Sequence, residues 1–130
     1  MPRKESQYPA DWLRIANKDY ARVDYLLKAN DPEAAGFYLQ QALEKFLKAF
    51  LLSRGWKLQR IHDLEPLLNE ALTYDPSFEQ YRHILQRITA FYYIERYPFT
   101  LDTTITEDDV REAVLQTQTL IESIRSVLKR

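Results

Sequence analysis

The most uneven charge in the chain lies between Lys45 and His62. That window holds Lys45, Lys48, Arg54, Lys57 and Arg60 together with His62, and no carboxylate interrupts it. Ammonium and guanidinium groups gathered in this way attract anions, phosphates above all. A solvated reading stands beside it, with Arg54 and Lys57 answering helix carbonyls and Glu44 pairing with Lys48 one turn on. His62–Asp63 adds an imidazole, a side chain suited to general-base work, with a carboxylate next to it to orient the ring. The other reading of this pair is a helix-capping Asp beside an incidental His.

Glu95–Arg96–Tyr97–Pro98 is the second stretch with chemistry in it. An arginine closing a helix, framed by aromatics and a rigid proline, makes an anion contact, or else answers the terminal carbonyls. Tyr92, Tyr93, Tyr97 and Phe99 form an aromatic cluster suited to core, interface or base stacking. His83 reads as a surface residue. With two His at unrelated spacing and no Cys, no metal site can be assembled from the usual motifs. The remaining carboxylates cluster at helix starts, where capping and the helix dipole explain them, and no serine sits in a nucleophile elbow.

Eighteen Lys and Arg against nineteen Asp and Glu leave a net charge of −1, which disfavours a general nucleic-acid or membrane coat. Two glycines cannot write a phosphate loop or a dinucleotide fingerprint. No apolar run reaches the roughly 18 residues of a membrane span, and Met1–Gln7 lacks the apolar segment of a signal peptide. A cytoplasmic protein is expected. At 130 residues, one core burying roughly 65–70% of the open chain's surface is feasible without staples.

The elements that must position these groups are all helices. Asp11–Trp12 opens a first helix reaching about Lys28, with Trp12, Ala16, Val23 and Leu27 on one stripe. Asp31–Pro32 caps a second, ending near Arg54 at Gly55. Its core face is Leu39, Leu43, Phe46 and Phe50; Gln41, Lys45 and Lys48 fall on the outer face beside Phe37 and Leu52. Asp63 caps a third helix to about Tyr74, and Asp75–Pro76 begins a fourth that Pro98 ends. Residues 99–105 read as a loop, and Thr106 followed by Glu107, Asp108 and Asp109 opens the last helix. The expected architecture is all-α: an up-and-down antiparallel bundle of four to five helices over 10–130, preceded by a flexible segment 1–9.

Gln40–Gln41–Ala42–Leu43–Glu44–Lys45–Phe46–Leu47–Lys48–Ala49 resembles the second-helix signature of HEPN domains. Trp12 and Ala16, then His62–Asp63–Leu64, then Arg96–Tyr97–Pro98 follow in the family's order, over about residues 10–125. The resemblance implies a small helical bundle, commonly a homodimer. Such proteins are often encoded beside a minimal nucleotidyltransferase as a two-component or toxin–antitoxin pair. Many members are metal-independent ribonucleases built on an Arg, four to six residues, then His. No Arg and His in this chain stand at that spacing. Arginine alone does not exchange a proton near neutral pH. The sequence therefore points to a non-catalytic module binding a nucleotide or RNA phosphate, with Gln41, Lys45, Lys48, His62, Arg96 and Tyr97 as ligand-binding residues and no cofactor or metal. The alternative is a divergent ribonuclease using Arg96 with His62.

Overall fold

A computed structural model describes residues 5–96 and 104–129, with the side chains of Glu95 and Arg96 outside the description. Five helices are present among the described residues: α1 Pro9–Lys28, α2 Pro32–Ser53, α3 Leu64–Ala71, α4 Arg82–Arg96 and α5 Glu107–Leu128. A 3-10 turn over Pro76–Tyr81 leads into α4. No strand occurs among the described residues, and no described helix is long and apolar enough to cross a membrane.

Local chemistry explains most boundaries. The first helix starts two residues before Asp11, because Pro9 suits the first helical position. Asp31 accepts from the Ala34 amide and caps α2, whose end is turned by Gly55 at φ 91°. The third helix is shorter than its periodicity suggests, since residues 72–74 turn toward Asp75. Asp75 then accepts from the Ser77 amide and opens a 3-10 turn rather than an α-helix. Thr106 and Asp109 form a reciprocal capping box at the start of α5.

The second helix is the axis of the bundle and packs against each of the other four. Leu39, Leu43, Phe46, Leu47 and Leu51 are wholly buried, meeting Val23 and Leu27 of α1, Leu64 and Leu67 of α3, Leu85 and Ile88 of α4, and Ile121 and Ile124 of α5 in one core. Each such side chain contributes about 1.5–3 kcal/mol by leaving water. Gly36 permits the close crossing of α2 and α4: a Cβ there would stand 3.1 Å from Phe91 Cβ. Arg125 ties α5 to α1 while also donating to Glu122 of its own helix at 2.8 Å. Its Nε and one terminal nitrogen donate to Asn17 Oδ1 at 2.9 and 2.7 Å, and it lies over the Tyr20 and Phe46 rings.

The capping box makes α5 sensitive to acid. The Thr106 amide, and then its hydroxyl, hold the Asp109 carboxyl below the ordinary carboxylate range. A lowered folded value contributes stability above the ordinary range, and that contribution is lost as pH falls through the lowered value. Thr106→Ala should cost about 1 kcal/mol of stability in denaturant unfolding near neutral pH. Asp109→Asn should be less stable than the parent near neutral pH and converge with it as pH falls below the ordinary carboxylate range; parallel curves at all pH values would refute this account.

Candidate functional site

One side of α2 faces a groove of about 990 Å³, closed by α1, the 60–63 loop and the end of α4. Two rows of α2 side chains one turn apart line it: Phe37, Gln41 and Lys45, and beside them Gln40, Glu44 and Lys48. The loop before α3 supplies Arg60 and His62. The fold thus brings Gln41, Lys45, Lys48 and His62 together from a separation of about twenty residues. Arg96 lies in the last turn of α4 with its side chain outside the described residues, and Tyr97 lies outside them altogether.

The outer face of α2 is not solvated. Lys48 has no accessible surface and Glu44 only 6%. The Lys48 ammonium donates to Glu44 Oε2 at 2.9 Å and sits 5.0 Å above the Trp12 ring. A buried ammonium needs such company, because desolvating an unpaired charge costs several kcal/mol. Trp12 in turn donates its indole N–H to the Ser6 carbonyl at 2.6 Å, which ties the segment before α1 to this ring, and Glu5 of that segment lines the groove.

The same Glu44 oxygen lies 3.2 Å from His62 Nδ1. An ionised carboxylate only accepts, so Nδ1 is the donor here and Nε2 is the outward nitrogen, a lone pair whenever the ring carries one proton. The ring itself is two-thirds exposed. Glu44, rather than the adjacent Asp63, is therefore the carboxylate that orients this imidazole. Asp63 stands at the cap of α3 without making a side-chain cap bond, and accepts instead from the Tyr93 hydroxyl at 3.1 Å.

A second carboxylate answers the other α2 ammonium. Asp19, 2% exposed, accepts from Lys45 through one oxygen and from Arg22 through the other. The carboxylate-free window of the sequence is thus supplied with carboxylates by α1 and by the turn preceding it on α2. Of the groove's cations, Arg60 makes no ion pair among the described residues. Along the groove Lys45, Lys48 and Arg60 stand against Glu5, Glu44 and Asp63, so it is close to neutral, with Arg60 as the cation outside the ion pairs.

The remaining wall is aromatic. Phe37 stacks on Tyr92 with ring centroids 5.5 Å apart and planes at 18°, and Tyr93 meets Tyr92 edge-on at 5.2 Å. Asp19 and Gln40 were not among the sequence candidates. Asp19 carried a usable signal, falling one turn from both Ala16 and Val23 on the buried stripe of α1. Gln40 carried one too, as it stands a turn before Glu44 in the row that ends at Lys48. Among the described residues no three metal-ligating side chains come together.

The HEPN domain family model matches residues 9–127. No curated protein and no solved structure matches the chain.

The buried pair sets a clear expectation for stability. Lys48→Met strands the Glu44 charge and should cost on the order of 3 kcal/mol, whereas Glu44→Leu/Lys48→Met should recover most of that loss. Urea unfolding of the two variants decides it; equal destabilisation in both would show that shape rather than charge matters at this point.

Proposed function

The chain belongs to the HEPN domain family, and we propose that it acts as a non-catalytic module whose α2 groove takes the phosphate and base of a nucleotide. The family ties it to nucleotide- and RNA-related biochemistry. Support for the reading comes from one observation: Gln41, Lys45, Lys48 and His62 share a groove with an aromatic wall. Arg60 is the contact for an anion, joined by His62 Nε2 only in the imidazolium form, and Tyr93 and Phe37 offer ring faces for a base.

Charge favours a small ligand over a long strand. A polyanion is held by several unpaired cations, each releasing counterions. Here Lys45 and Lys48 already face Asp19 and Glu44. A nucleotide with one phosphate matches a groove with one uncommitted guanidinium. The proposal includes a homodimer and a minimal nucleotidyltransferase partner, and copurification with such a transferase tests the latter.

A second reading is favoured by the Glu44–His62 contact, which leaves Nε2 free to accept a proton. In it the chain is a divergent metal-independent ribonuclease, with Arg96 stabilising the charged phosphorus centre and His62 as base.

Calorimetric titration with nucleoside monophosphates separates the readings. Binding should weaken with salt, and Arg60→Ala should weaken it about tenfold; no salt-sensitive binding overturns the binding module. RNA incubated with chelator should stay intact. Cleavage that disappears in both His62→Ala and Arg96→Ala would establish the enzyme instead.

A further inference from the structure

We infer that Gln41 reads the edge of an unpaired nucleobase, which makes the base, and not the phosphate alone, a determinant of what the groove accepts. The inference rests on the proposed nucleotide site and adds to it a requirement on the ligand.

The direction of this amide follows from its neighbours. The His62 carbonyl can only accept, so the Gln40 group 3.0 Å from it is its Nε2. Gln40 is 2% exposed and held in that orientation. Its Oε1 therefore points to Gln41 and accepts from Gln41 Nε2 at 2.7 Å. An amide orientation usually has to be chosen from its surroundings, and here a backbone carbonyl decides both.

One N–H of Gln41 is thereby used. Its Oε1 and its other N–H have no partner among the described residues, and the residue lines the groove half-buried. A fixed carboxamide with a free acceptor and a free donor complements a base edge that carries a donor beside an acceptor. Each of the common bases has such an edge when it is not paired in a duplex. A phosphate offers acceptors only and leaves the Gln41 oxygen unanswered.

The surroundings match that use. Phe37 lies one turn before Gln41 on α2 and Lys45 one turn after it, spacing ring, amide and cation about 6 Å apart along the helix. Tyr93, 37% exposed, adds a ring at the same wall. A base lying against the rings meets Gln41 with its edge, and the phosphate points toward the Arg60 and His62 loop.

The test is a calorimetric comparison of AMP, GMP, CMP and UMP with ribose 5-phosphate on the intact protein. At least one nucleotide should bind about tenfold tighter than ribose 5-phosphate, and Gln41→Leu should erase most of that margin. Nucleotides and ribose 5-phosphate binding equally would overturn the role of Gln41 while leaving an anion site in the groove. Binding of none of them would remove the nucleotide site itself. Stacking alone also gives nucleotides a margin, so a margin that survives Gln41→Leu assigns the preference to the rings and refutes the inference. If that variant does not fold, AMP against purine riboside 5′-monophosphate on the parent protein replaces it. Loss of the exocyclic amine should weaken binding where AMP is the favoured ligand, and the matching edge-deleted analogue serves for another base; no weakening refutes the role of Gln41.

Discussion

Two carboxylates taken almost wholly out of water govern how this bundle is put together. Asp19 and Glu44 keep 2% and 6% of their surface, and a charge in that setting is tolerable only when cations meet it. Asp19 draws Lys45 of α2 onto α1. Glu44 holds Lys48 along its own helix and His62 from the following loop. The register of α1 on α2 and the position of the 60–63 loop are therefore set by the same interactions that shape the groove. Trp12 completes the arrangement by covering the Lys48 ammonium with its ring.

This arrangement changes what the basic window means. Counted along the chain, the stretch from Lys45 to His62 looks like an anion-attracting surface. Counted in space, Lys45 and Lys48 are matched by carboxylates, and the groove beside them keeps one guanidinium, Arg60, one imidazole edge, His62, and one carboxamide, Gln41. On the proposed reading, such a site would distinguish ligands by geometry more than by net charge, with little rearrangement because its polar groups are already held by one another. The aromatic wall of Phe37, Tyr92 and Tyr93 supplies contact area of the kind that accepts a planar ring without demanding a particular one.

The architecture could be read from the sequence because helices announce their own ends. Asp31–Pro32, Gly55, Asp75–Pro76 and Thr106 through Asp109 act on backbone groups within four residues, so local chemistry decides them. The buried stripes of α1 and α2 were readable because helical periodicity is local too. What escaped was contact between distant positions. Lys45 meets Asp19 across 26 residues and His62 meets Glu44 across 18, and no local rule joins them. Burial of Lys48 escaped as well, because a helix surrounded on every side buries even the face that its periodicity marks as outer. Asp63 shows the converse: its position fits a cap, yet the Tyr93 hydroxyl offers its carboxylate another partner.

The turn at residues 29–31 has a kinetic side. It joins α1 and α2, whose mutual contact is the most extensive between any two helices, through only three residues. Contacts that close short loops lose little chain entropy on forming, and topologies rich in them fold fast. The α1–α2 hairpin is therefore the expected nucleus on which the later helices condense. Pulse-labelled amide exchange would show α1 and α2 protected ahead of α5 on this view, and simultaneous protection of all helices would contradict it.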